Sequence, residues 1–276
     1  MSLLESVLYG LISGVTEILP VSAQAHQALL LKIFGIDSRY QLVDLAVHLS
    51  VAAAIIFACY SSIAKLRRDM RLASGSNRRA HRQGYSQSVY ELRLLRTAVL
   101  PLCIGLFLYL AFNQLESQML WLVVFWIING LILYILGHMR QGNKDSRTMS
   151  GMDAILMGLA GALSAIPGIS RIGMITSAAV ARGAGRNHAL NWALILSIPA
   201  LAVFVLFDIV ALAGVGAGAA SVSLLVSCLA AAVAAFAGSY ICIYLIQFLI
   251  VRFDLSGFSY YCWGIAMLSF ILYLII

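Results

Sequence analysis

The chain has 276 residues, 62% of them hydrophobic and only 11% charged, with a mean hydropathy of +0.95. A soluble domain carries about 25% charged residues, so composition excludes a soluble enzyme and gives an all-α polytopic membrane protein with room for roughly six to eight spans. The net charge of +7 does not call for nucleic acid, because Lys and Arg gather in the cytoplasmic loops of membrane proteins.

Residues 3 to 34 form an apolar segment that breaks near Pro20 and closes at Lys32, Gly35 and Asp37. Met1 to Glu5 lacks the basic start of a cleavable leader. After a polar patch from Asp37 to Gln41, a span runs from Leu42 to Tyr60; Asp44 and His48 lie on one face at its wet entrance. The stretch 64–96 carries half of the basic residues and is expected to be a cytoplasmic loop with a flexible tip at Ser74 to Asn77. Two spans follow, Thr97 to Phe112 and Met119 to Met139, and then a basic loop from Arg140 to Arg147. A second apolar segment, 152 to 181, breaks at Pro167-Gly168 and closes at Arg182 and Arg186. The last spans are Ala189 to Ala213, Val222 to Val251 and Phe258 to Ile276, with an uncharged turn at Gly214 to Ala220. His81, His138 and His188 sit in or beside basic loops and read as solvated. The five cysteines lack metal or redox spacing and read as small hydrophobes.

If both broken segments are re-entrant hairpins, six spans remain and the topology is consistent. Every Lys and Arg except Lys32, Arg39 and Arg171 then falls on one side, the cytoplasmic one. The segment Gly14 to Pro20 also aligns with Gly161 to Pro167, and three spans follow each. An odd number of crossings inverts the second copy, giving inverted-repeat halves of about 1–140 and 151–276 with a site near the midplane.

Each break starts a new helix whose first N–H groups are unpaired and whose dipole end is positive, a seat for an anion and above all phosphate. Arg171, just past the second break, can fork two phosphate oxygens or pair with Glu17. Glu17 inside an apolar segment is costly and therefore a functional candidate. With His26 it makes an acid/base pair or a nucleophile and its base; alone it is a hard-oxygen ligand for Mg²⁺ or Ca²⁺. Ser22 and Ser170 offer hydroxyls at the same level, as ligands or as helix caps.

These motifs bring a family into view. The chain resembles, over essentially its whole length, the bacterial undecaprenyl pyrophosphate phosphatase family, also called the bacitracin-resistance protein family. The first family motif, E-G-x-T-E-x-x-P-V-S-S-x-x-H, stands here as Ser13 to His26; the second, P-G-x-S-R-S-G, as Pro167 to Gly173. The resemblance implies six spans with two opposed re-entrant hairpins. It also implies hydrolysis of a polyprenyl diphosphate at the outer face of the bacterial inner membrane, with a divalent cation, in carrier-lipid recycling for cell-wall synthesis, and it admits a homodimer. Carried over by position, Glu17, His26, Ser170 and Arg171 form the catalytic set. Ser13, Ser22, Gln24, Gly168, Gly173 and Arg171 surround the substrate, and Glu17 ligates the cation. The sequence departs from the pattern at Ser13, Ala23, Ala25 and Ile172. Losing one of two carboxylates weakens a divalent site and removes a catalytic partner, so the chain resembles a diverged paralogue: one that keeps phosphatase activity, on a different lipid phosphate, or, as the second reading, a transporter or flippase that binds polyprenyl phosphate without cleaving it. A small-solute transporter is the third.

Overall fold

The computed structural model describes residues 1–36, 39–74, 87–140, 142–215, 221–253 and 255–275. The expected tip at 75–77, most of the turn at Gly214 to Ala220, Asp37 and His81 lie outside the described residues. The described part is helical: α1 (Leu3–Ile18), α2 (Ala23–Ile33), α3 (Gln41–Ala58), α4 (Tyr60–Ser74), α5 (Gln87–Leu102), α6 (Ile104–Phe112), α7 (Met119–Gly137), α8 (Gly151–Ala162), α9 (Arg171–Ala181), α10 (Arg186–Val215), α11 (Val222–Arg252) and α12 (Ser256–Ile275). Among the described residues six stretches are long and apolar enough to cross a membrane: Gln41–Ala58, Val89–Ser117, Met119–Gly137, Arg186–Gly214, Val222–Ile250 and Ser256–Ile275. The second begins earlier than the expected Thr97, because α4 and α5 run into the basic stretch from both sides; Lys and Arg are good helix formers.

The four short helices pair off. α1 opens with a capping box, in which Ser2 Oγ accepts from the Glu5 N–H and the Glu5 carboxylate accepts from the Ser2 N–H. α8 opens the same way with Ser150 and Asp153. Each pair then breaks at its proline, since the residue before proline is pushed out of the helical region: Leu19 is extended at ψ 152° and Ile166 at ψ 121°. α2 packs back on α1 and α9 on α8. The N-terminal amine of Met1 meets Tyr40 Oη at 3.2 Å and the Lys144 N–H meets Gly183 O at 2.9 Å, so the chain enters and leaves each pair at the same end.

Small residues let the pairs sit against long helices. A Cβ on Gly10 or Gly14 would lie 2.1 or 2.3 Å from the carbonyl oxygens of Ala231 and Ala235 on α11. One on Gly158 would lie 2.1 Å from the Ala98 oxygen on α5. This is the small-residue spacing by which membrane helices reach backbone contact. α3 packs on α10 and α11, and α7 packs on α12. The two ends differ in charge. At one, Arg39 joins Glu116 at 2.8 Å and Asp44 at 3.4 Å. At the other, Asp153 holds Arg182 at 2.6 Å and Lys144 at 3.3 Å, while Ser146 Oγ donates to Glu91 at 3.2 Å and lies 3.1 Å from His188 Nε2. His188 is thus hydrogen-bonded, not simply solvated.

Candidate active site

The two proline breaks meet tip to tip inside the protein. A broken helix leaves backbone groups that water cannot reach, and at membrane depth the protein itself must satisfy them. α7 does this. Asn129, fully buried, donates from Nδ2 to Pro20 O at 3.1 Å and accepts at Oδ1 from the Ser170 N–H at 2.9 Å, so one amide ties both tips. Trp126 Nε1–H donates to Val21 O at 2.9 Å. The tips also bond directly: the Gly168 N–H donates to Ser22 Oγ at 3.1 Å and the Ser170 hydroxyl to Leu19 O at 3.4 Å. Gly168 takes φ +102°, open to glycine at little cost. A Cβ on Gly173 would lie 3.1 Å from Pro20 Cβ. Gly173 therefore serves the close approach of the two breaks, while Gly168 lets the second break press on Phe125 of α7, 2.5 Å from where its Cβ would lie.

At this junction Arg171 Nη2 donates to Glu17 Oε2 at 2.5 Å, with both side chains buried. Arg171 Nε donates to Ser197 Oγ at 3.1 Å. A small cavity of about 20 Å³ is bounded by Glu17, Ser22, Gln24, Ser170, Arg171 and Phe204. It has room for roughly one water. The Gln24 Oε1 atom is buried there without a hydrogen-bond partner, and Ser13 Oγ, one turn before Glu17, is likewise buried and unpartnered. Ser170 caps α9 by accepting from the Gly173 N–H at 3.1 Å. Ser22 does not cap α2; its hydroxyl accepts from the Gly168 N–H instead. The first turn of α2 therefore lacks a side-chain cap and keeps its N–H groups for a ligand. Ser22 itself is the one described non-glycine residue at positive φ, 70°. Such strain persists only where the surroundings hold it, and it collects at functional sites.

His26 is oriented elsewhere. Its Nδ1 lies 2.7 Å from Ser22 O and its Nε2 2.9 Å from the Tyr261 hydroxyl. A carbonyl only accepts, so Nδ1 carries a proton; a neutral ring would then accept from Tyr261 at Nε2. The ring lies edge-on to Trp126 at 5.1 Å and stacks on Tyr261 at 5.8 Å. Glu17 and His26 share no hydrogen bond here: both ring nitrogens bond other groups. Asp44 and His48 are also not a wet entrance: both are buried. Asp44 accepts from Tyr9 Oη at 2.5 Å and from Arg39 at 3.4 Å, whereas His48 Nδ1 meets Asp208 Oδ2 at 2.6 Å. His48 stacks at 5.6 Å on Phe204, which lines the small cavity.

Residues 6–268 match the family model described as "Bacitracin resistance protein BacA". The chain belongs to that family. It is 31% identical over 265 residues to a protein of Carboxydothermus hydrogenoformans named undecaprenyl-diphosphatase, covering 95% of this chain and 94% of the relative. Proteins of the same name from Methanobrevibacter smithii and Campylobacter curvus are 28% and 32% identical, over 98% and 95% of this chain and 97% and 95% of the relatives.

Against this family background, motif reading passes over four polar side chains: Trp126 and Asn129 on α7, which bond the tips, Asp208 on α10, which bonds His48, and Tyr261 on α12, which bonds His26. Asn129 and Asp208 carried a signal, being polar or charged residues within membrane spans. The acidic groups do not converge on a resident divalent site. Among the described residues no three His, Cys, Asp or Glu side chains cluster for a metal, and the Glu17 carboxylate is already matched by Arg171. A hard divalent cation wants several oxygen ligands; Glu17 would supply one, and water and the phosphate oxygens of a bound diphosphate would have to supply the rest.

Proposed function

We propose that this multi-pass membrane protein hydrolyses a polyprenyl diphosphate, undecaprenyl diphosphate first among them, to the monophosphate and inorganic phosphate. The observation that carries the reading is the buried Glu17–Arg171 pair at the junction of the two breaks, beside the uncapped start of α2. The family and the names of its members support the substrate class; they lend nothing to the carrier reading.

In this proposal α1–α2 and α8–α9 are re-entrant hairpins. At 1.5 Å per residue the 11 residues of α2 span about 17 Å, well short of the roughly 30 Å hydrocarbon core. They open from opposite leaflets as inverted repeats of about 1–140 and 151–276. The basic end faces the cytoplasm of a bacterial inner membrane and the site opens to the outer face. The terminal phosphate sits against Arg171 and the first N–H groups of α2, which hold the charge that builds on its oxygens. Glu17, released from Arg171 as the phosphate takes the guanidinium, accepts the proton of a water whose oxygen attacks the terminal phosphorus. The bond to the bridging oxygen breaks, and the lipid monophosphate leaves with the electron pair. His26 acts on the substrate only after Tyr261 gives up Nε2. The cavity of about 20 Å³ is too small for a diphosphate, so binding includes an opening in which Phe204 or Arg171 moves.

The test is phosphate release from undecaprenyl diphosphate by the purified chain in detergent. Release above a Glu17→Ala control is expected. No release from the native chain, combined with release after Ser13→Glu with Ala23→Ser, would mean that catalysis has been given up.

A further inference from the structure

A second cavity, of about 700 Å³, lies beneath the tip of the first hairpin, bounded by Leu19 and Val21, by the end of α11 and by the start of α12. Its volume is in the range of ligand pockets. The walls are mostly apolar, with Ile246, Ile250, Leu255 and Phe258 among them. Two arginines, Arg186 and Arg252, lie at the end that carries the basic loops. Arg186 donates to Gly137 O at 3.2 Å, and the Arg252 guanidinium rests 4.2 Å from the Phe248 ring centroid. Neither meets a carboxylate among the described residues. An apolar chamber with two guanidinium groups at its rim has the polarity order of one membrane leaflet. Charge lies at the loop end and hydrocarbon lies toward the hairpin tip.

We infer that this cavity is a binding site for an anionic phospholipid of the leaflet on the basic-loop side. The phosphate would be held by Arg186 and Arg252, with one acyl chain running in toward Leu19 and Val21. Guanidinium groups suit phosphate oxygens, and basic pockets between membrane helices on this side take acidic headgroups. Tyr261, which bonds His26, also lines this cavity, whereas Glu17 and Arg171 line the small one; the inference rests on the apolar walls and the two arginines, not on hydrolysis.

The experiment is a thermal melt of the full chain, delipidated in neutral detergent, titrated with phosphatidylglycerol, phosphatidylcholine or undecaprenyl monophosphate. Phosphatidylglycerol is expected to raise the melting temperature saturably while phosphatidylcholine leaves it unchanged. Arg186→Gln with Arg252→Gln is expected to weaken the half-saturating concentration about tenfold or more. Arg252→Gln alone, at an exposed helix end, keeps the test readable if the double variant folds poorly; a severalfold weakening is expected there. Native mass spectrometry should find phosphatidylglycerol retained by the native chain, less so by Arg252→Gln and least by the double variant. Equal stabilisation of native and variant chains, equal response to the neutral lipid, or a response to undecaprenyl monophosphate alone would each overturn the inference. No readout uses hydrolysis, so an inert enzyme would leave it standing.

Discussion

Replacing Asn129 by leucine removes one side chain and leaves backbone groups of both hairpin tips without partners. Leucine keeps the branched skeleton but is bulkier at its two methyls, so the effect reports the loss of the bonds at 3.1 Å to Pro20 O and 2.9 Å from the Ser170 N–H together with some overpacking. Ordinary side-chain bonds between membrane helices average about 0.6 kcal/mol, because the separated helices find other partners. Asn129 differs in that both its mates are backbone groups at helix breaks, with no intrahelical partner to fall back on. Each then costs the orphan penalty of about 1–3 kcal/mol, and the two together about 2–6 kcal/mol. For a chain of this size each kcal/mol shifts the melting temperature by roughly 2–4 °C, so Asn129→Leu is expected to melt on the order of 10 °C lower and to lose hydrolysis as the tips part. Ile128→Ala, on the exposed neighbouring face, is the packing control and should change little. A melt of Asn129→Leu within about 2 °C of the native chain, at full rate, would refute the assignment of this amide as the tie between the tips.

Gly14→Ala places a methyl 2.3 Å from the Ala235 oxygen and must push α1 off α11; a loss of about 3 kcal/mol is expected. Gly151→Ala, whose new methyl meets nothing within 4 Å, should melt like the native chain; similar melts for both would contradict the packing. Burial works against the charge on Asp153, but hydrogen bonds from Ser150, Arg182 and Lys144 prevail and hold it at about 2 against an ordinary 3.8. A depressed carboxylate gives stability that is complete above the unfolded value and fades as pH falls through the folded one. The stability gap between the native chain and Asp153→Asn should therefore shrink by on the order of 2 kcal/mol between pH 5 and pH 2. A gap constant over that range would refute it. Tyr261→Phe strips the donor from His26 Nε2 and should cost about 1 kcal/mol or more. Combined with His26→Ala it should add almost nothing; full additivity would show the phenol acting elsewhere.

Much of the frame was legible in the residues. Prolines at 20 and 167 dictate where helices stop, and Glu17 and Arg171 announce each other by the cost of burying either alone. The partners of those groups were not legible. Whether His26 faces Glu17 or Tyr261 depends on the rotation of α2 against a helix 235 residues away in sequence. Asn129 is one amide in an oily helix, and nothing local says that two proline breaks converge on it. Asp208 was readable by the rule that singled out Glu17, but the motifs drew attention away from it; its mate His48 lies 160 residues earlier.

The most direct test of the central claim is a double-mutant cycle in the rate of phosphate release, using Glu17→Ala, Arg171→Ala and the pair. Groups that act as one unit are strongly non-additive. Each single change is therefore expected to cost at least about 100-fold in kcat, and the pair no more than the worse of the two. Native-like release by either single variant, or losses that simply multiply in the pair, would contradict a shared role at the junction of the hairpins.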